Sequence, residues 1–367
     1  MIIKCMKSEL ISGINIVSKA VPSRTTLSIQ ECILIDARTP AITLTANDME
    51  MGIETQITGI VEEKGAAAID ARMLSDIIRK LPENEVTISA DENFHVKIVC
   101  EKANFQIMGK EWEDFSRIPY LEREEPVEIS QFSLKEMIRQ TIFSIAVNDS
   151  NKIMTGELFE INENILRVIS LDGHRISIRT LAMKNNYPSR SVIVPGKTLQ
   201  EIFKILPGDT ESNVEIYFTQ NHIMFVFDST TVVSRLIEGT YFRVDQMISN
   251  DYETKVTINR RELVDCIDRS ILLIREEDRK PIILNIANQK MELRINSQIG
   301  SMDEEIDIEM EGRDIMIGFN PKYLIDALRV IDDEKVDIYY MNAKAPCFIR
   351  DAAGSYIYLV LPVNFVV

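Results

Sequence analysis

The chain is short of the residues that usually announce chemistry. Its 367 residues include only five cysteines and three histidines. Cys5, Cys32, Cys100, Cys266 and Cys347 are odd in number and scattered, which excludes a disulfide framework and a zinc motif and points to a reducing compartment. His95, His174 and His222 show no metal-ligand spacing, and no phosphate loop or nucleophile elbow occurs. No apolar run reaches the roughly 18 residues that a spanning helix needs. The N-terminus has no basic region, long apolar core or small-residue cleavage site. The expectation is a cytoplasmic protein with no membrane contact, cofactor or metal.

What the chain has is repetition. Ser191–Pro207 is a near copy of Ala67–Pro82, and Asp314–Ile331 is a third version. Leu74, Leu199 and Leu324 in these segments are each 125 positions apart. That period is far longer than the ~20–50 residues of a solenoid unit, so it marks domain repeats. Each third also opens alike, with a short strand and an amphipathic helix at Ile2–Val17, Val127–Phe143 and Val256–Ile267. Leu10, Met137 and Leu263 keep these openings in register, 127 and 126 apart. An acidic turn and a new strand follow each second helix, at Val86–Ile88, Val214–Ile216 and Val336–Ile338. One third reads β-α-β-β-β twice, an α+β domain with two helices packed on antiparallel sheets. The expected boundaries are 1–125, 126–253 and 254–367.

Charge adds a second clue. A net charge of −16 argues against a nucleic-acid partner, because phosphate binding is mostly cationic neutralisation. The six predicted helices nevertheless carry a net +6, so they are locally basic while strands and loops are acidic. Solvated helix faces account for such charges equally well. The sharper reading is that equivalent helices of three domains line one surface for a polyanion.

Four segments then carry a family resemblance across the whole chain. They are Leu44–Glu54, Phe105–Met108 through Ile118-Pro119, Leu171-Asp-Gly-His-Arg175, and Tyr358-Leu-Val-Leu-Pro362. Their order and spacing, on top of the triplication, resemble the bacterial sliding clamp, the beta subunit of DNA polymerase III. The resemblance implies a head-to-tail dimer that closes a pseudo-sixfold ring of clamp domains around duplex DNA, with helices lining the hole. Closed symmetry suits a repeat that would otherwise polymerise. Helices crossing the phosphate backbone would hold DNA without reading sequence. The implied role is a non-catalytic processivity factor. Its implied partners are the DNA polymerase III catalytic subunit, an ATP-dependent clamp loader, and other polymerases and repair proteins carrying clamp-binding peptides.

The resemblance also implies three sites. For DNA, Arg24 matches a contacting loop, with Arg72, Arg79, Lys80, Arg139, Lys197 and Lys204 on the helices and Asn148 and Lys152 in the second domain's loop. For partner peptides, the matching positions are Met154, Leu171, Gly173, His174, Arg175, Ile176, Phe242, Gln246, Met247, Pro346, Leu359, Val360, Leu361, Pro362 and Val363. Methionine and aliphatic side chains give an adaptable groove for one or two Leu or Phe anchors. For Met154 and Val360, core packing is the competing reading. Tyr241-Phe242-Arg243 stands where relatives usually have Tyr-Pro-Asp or Phe-Pro-Asp, and Gln246 and Asn364 stand where they often have arginine, so an altered partner preference is expected. For the protomer contact, Ile271–Ile274 cannot all bury against one sheet at a period of 3.6. Leu272 and Leu273 are expected to meet the partner's Phe105 and the partner's Ile107.

Two rival readings remain. His174 between Asp172 and Arg175 suggests acid-base catalysis, although the other thirds have no counterpart. A scaffold unrelated to DNA could use the same repeat, and the helix cations weigh against it.

Overall fold

Among the described residues six α-helices form where the patterning predicts them: α1 (Lys7–Val17), α2 (Ala71–Lys80), α3 (Gln131–Thr141), α4 (Gly196–Ile205), α5 (Arg260–Ile271) and α6 (Pro321–Leu328). The computed structural model describes residues 1–147, 150–275 and 280–365. Helix starts are set by short polar side chains that satisfy orphan N–H groups. Asp70 accepts from Met73 N at 2.8 Å before α2, and Asn259 accepts from Arg261 N and Glu262 N before α5. Asn320 accepts from Lys322 N ahead of α6, with Pro321 at the first helical position. Ala71, Leu74 and Ile78 give α2 its buried stripe, and Arg79 and Lys80 complement the dipole in its last turn. Lys19 and Arg329, counted in the helical charge excess, fall just past the ends of α1 and α6.

The chain folds as two compact units, Met1–Leu134 with Glu201–Leu236, and Lys135–Gln200 with Ile237–Val367. Every strand pairing among the described residues is antiparallel. In the first unit, a five-stranded sheet runs Ile60–Glu63, Ile2–Met6, Glu85–Ala90, His95–Cys100, Ala103–Met108. An eight-stranded sheet runs Val127–Ser130, Asn213–Phe218, His222–Phe227, Thr230–Arg235, Met51–Ile57, Ile42–Asn47, Cys32–Asp36, Ala66–Asp70. It takes strands from both sides of position 125, through the pairing of Thr230–Ser234 with Met51–Thr55.

In the second unit, a seven-stranded sheet runs Gly156–Leu171, Arg175–Pro195, Tyr356–Val360, Cys347–Arg350, Lys335–Tyr340, Thr254–Asn259, Glu309–Gly312. A four-stranded sheet runs Gly300–Asp307, Lys290–Ser297, Ile282–Ala287, Ile315–Phe319. About eight strands per third are expected, and the described residues form nine, six and nine. The outer thirds gain a short strand each, Ile60–Glu63 and Glu309–Gly312. In the central third pairs of strands fuse into one of 16 and one of 21 residues, bent by register shifts on either side of Glu163.

Alternation along the strands builds the cores. Lys335–Tyr340 buries every second residue, and its Val336, Ile338 and Tyr340 join Leu263, Ile267, Leu324 and Leu328 from α5 and α6. Full burial of each such side chain stabilises by about 1.5–3 kcal/mol. A buried carboxyl group departs from this pattern. Glu157 is wholly buried and neither carboxyl oxygen has a hydrogen-bond partner. Burial pushes its pKa well up, against a smaller opposing effect of the Thr141 hydroxyl, which itself donates to Met137 O at 2.7 Å.

Candidate functional site

The second unit holds an open apolar groove at the hairpin that joins its two longest strands. Asp172 makes this turn. Its Oδ1 accepts from His174 N at 3.0 Å and Arg175 N at 3.2 Å, while Gly173 takes the left-handed conformation with φ 85°. Leu361 N donates to His174 O at 2.9 Å, which lays the C-terminal strand's exit beside the turn. The resulting cavity of about 420 Å³ is lined by Met154, Leu171, Gly173, His174, Arg175, Ile176, Phe242, Met247, Pro346, Leu359 and Leu361. Its floor is continuous with a buried cluster that includes Leu158, Ile178, Tyr241 and Phe348.

Arg175 is the groove's most constrained residue, 6% exposed. Its Nε donates to Asp172 Oδ2 at 2.9 Å, Nη1 to Asp326 Oδ2 at 2.7 Å, and Nη2 to Phe143 O at 2.5 Å. The guanidinium also lies over the Tyr323 ring, 4.5 Å from its centroid, and His174 stacks on the same ring at 6.0 Å. Arg175 is therefore a strut between the turn and α6, with its charge balanced by two carboxylates. Asp326 and Tyr323 were not among the expected site residues. No local pattern signals them, because Asp326 lies 151 positions from Arg175.

Four of the expected groove residues are elsewhere. Val360 is fully buried in the core under α5 and α6, because the strand alternates and sends Leu359 and Leu361 the other way. Pro362 and Val363 leave the groove as Val363 N pairs with Gly318 O at 2.8 Å. Gln246 is exposed at the end of the short turn Val244–Gln246 and does not line the cavity.

The expected DNA-facing cations differ in how available they are. Arg24, Arg72, Lys80, Lys152 and Lys197 are exposed. Arg79 is exposed and donates to Asn15 Oδ1 of α1 at 3.1 Å, and Lys204 pairs with Glu201 at 2.7 Å while remaining half exposed. Arg139 binds Glu136 and, at 2.7 Å, Asp332, and its side chain is only 25% exposed, so two carboxylates already take up its charge. Asn148 lies outside the described residues.

Phe105 and Ile107 lie on Ala103–Met108, an edge strand with no fully buried residue. Phe105 is 37% and its neighbour Met108 66% exposed. An apolar edge of this kind invites strand pairing. Leu272 and Leu273 separate. Leu272 is 78% exposed at the end of α5, whereas Leu273 packs with Ile271 and Ile274 onto the core, so only Leu272 is presented outward.

Comparison with known proteins agrees along the whole chain. Family models of the DNA polymerase III beta subunit match in order, the N-terminal domain over residues 1–119, the central domain over 128–242 and the C-terminal domain over 245–364. A beta sliding clamp from Staphylococcus aureus is 32% identical over 369 residues, covering 98% of both chains. The crystal structure of a putative DNA polymerase III beta subunit from Eubacterium rectale matches with TM-score 0.96 and 65% identity, covering 100% of this chain and 99% of that one. The DNA polymerase sliding clamp from Bacillus subtilis matches with TM-score 0.95 and 30% identity, covering 100% of each.

Proposed function

Because the chain belongs to the DNA polymerase III beta subunit family, we propose that it is a sliding clamp, a non-catalytic processivity factor for DNA replication. Two protomers, each of three clamp domains at 1–125, 126–253 and 254–367, close head to tail into a ring around duplex DNA. Arg24, Arg72, Arg79, Lys80, Lys152, Lys197 and Lys204 supply the phosphate contacts. A ring holds DNA by linkage, so a few weak contacts suffice and leave it free to slide. That reading reconciles basic helices with a chain of net charge −16.

The observation that carries the reading of partners is the apolar groove of about 420 Å³ beside the Leu171–Arg175 turn. It fits one or two aliphatic or aromatic anchors of an extended peptide, which gives weak and exchangeable binding. The proposed occupants are peptides of the polymerase III catalytic subunit, an ATP-dependent clamp loader, and other polymerases and repair proteins, all in the cytoplasm. Phe242, packed edge-on against Tyr241 at 6.0 Å, shapes one wall and shifts the preference among these peptides.

Ring closure is proposed to use the exposed edge at Phe105, Ile107 and Met108 against Leu272 of the partner subunit. Absolute mass by light scattering tests it. A particle of twice 42.0 kDa is expected, and a monomer at all concentrations excludes this closure.

A further inference from the structure

The peptide groove has a structural twin in the first unit, and the twin is filled by the chain itself. The turn at Asp48 repeats the backbone hydrogen bonds of the turn at Asp172. Asp48 Oδ1 accepts from Glu50 N at 3.0 Å and Met51 N at 2.7 Å, and Met49 takes the left-handed conformation of Gly173, with φ 76°. Arg235 N donates to Glu50 O at 2.9 Å, as Leu361 N does to His174 O. Gly52 pairs with Val233 where Ile176 pairs with Leu359. The straps that follow leave the sheets at equivalent bridges, Ala68 with Lys110 and Ile193 with Ile237.

Three positions account for the difference in filling. Ile118, eight residues past Lys110, lies directly on Gly52. A Cβ built on Gly52 would lie 2.5 Å from Ile118 Cγ1, so only glycine admits it. Asn47 stands where the groove has Leu171, and its Nδ2 donates to Ser116 O at 3.0 Å and Arg117 O at 3.4 Å, tying the strap down. Eight residues past Ile237 is Asp245, whose carboxylate is bound by Arg167 at 2.6 Å and which does not line the open groove. Ile118 and Leu121 together pack on Tyr217, Met224 and Val233, and the space left is about 170 Å³.

We propose that Ser116–Leu121 is a resident pseudo-peptide, with Ile118 and Leu121 as its two anchors, and that the groove beneath it is a latent second site for anchor-bearing peptides. Docked, the strap limits each protomer to one peptide. Released, it opens a second site of the same class. This rests on the peptide reading of the second unit's groove.

The test uses the full chain and a labelled decapeptide bearing leucine and phenylalanine anchors. Leu361→Lys closes the open groove and should abolish the binding seen with the unmodified protein. In that background, Asn47→Leu with Gly52→Ile places at these two positions the residues of the open groove. Trypsin cleavage after Arg117 and Arg123 should then speed up at least tenfold, and one equivalent of peptide should bind within about a hundredfold of the original affinity. Ile118→Ser with Leu121→Ser, which alters only the strap, should do the same if the sheet variant misfolds. Unchanged cleavage overturns the strap's role, and faster cleavage without binding overturns the latent site. No binding to the unmodified protein defeats the underlying peptide reading, and the second site with it.

Discussion

Removing the Asp326 carboxylate should weaken the proposed peptide groove without substituting any residue that lines it. Asp326 accepts from Arg175 Nη1 at 2.7 Å, and the pair is largely buried, with side chains 7% and 21% exposed. In Asp326→Ala the guanidinium keeps Asp172 at 2.9 Å, the Phe143 carbonyl, and the Tyr323 ring. It therefore stays charged and buried, with one donor unmatched. Loss of a hydrogen bond to a charged group costs about 1.5–3 kcal/mol, and loss of every partner of a buried pair would cost about 3–5 kcal/mol. With Asp172 still in place, about 2 kcal/mol is expected in denaturant unfolding. The turn Leu171–Arg175 loses its tether to α6 and forms the groove wall for a smaller fraction of the time. A tenfold loss of affinity corresponds to about 1.4 kcal/mol, and an effect of that order is expected for a labelled peptide in fluorescence anisotropy. Hydrogen exchange at Leu361 N–H, which bonds His174 O, should accelerate in parallel. Affinity within twofold of the unmodified protein, with unchanged stability, would refute the strut.

Other outcomes follow from the same geometry. Leu272→Lys places a charge on a side chain 78% exposed, so the chain should stay folded while the dimer dissociates, read by sedimentation. Leu273→Lys should instead cost stability, because Leu273 packs on the core. Glu157→Gln should gain on the unmodified protein as pH rises. The folded carboxyl stays neutral above the unfolded pKa of about 4.3, so its burden is absent below that pH and grows by at most about 1.4 kcal/mol per pH unit above it. A pH-independent difference in thermal stability would count against a buried neutral Glu157. Arg72→Ala with Lys80→Ala should flatten the dependence of log Kd on log salt for duplex DNA by about 2, whereas Arg139→Ala should leave that slope unchanged.

Local features of the fold were legible in the sequence and pairings at a distance were not. The six helices announce themselves through 3.6-residue periodicity and capping side chains such as Asp70, Asn259 and Asn320, all within a few residues of what they control. The groove was legible through resemblance, at the Leu171–Arg175 turn and the Tyr358–Pro362 segment. Which side chains enter it was not, because Val360 and Leu359 differ only in which face of one strand they occupy. The resemblance implied a DNA contact for Arg139, and its pairing with Asp332, 193 positions away, leaves no local mark. Strand sharing across position 125 was equally invisible, since the contact of Met51–Thr55 with Thr230–Ser234 leaves no trace in either segment alone.

The central claim is that this protein holds DNA by linkage, and cutting the DNA tests it most directly. Labelled protein would be loaded on a nicked circular duplex by a clamp loader, isolated by gel filtration, and treated with an enzyme that linearises the circle. The account predicts coelution with the circle in moderate salt and release once the ends are free. Retention on linear DNA with the same lifetime would contradict it, because the contacts themselves would then be holding the duplex.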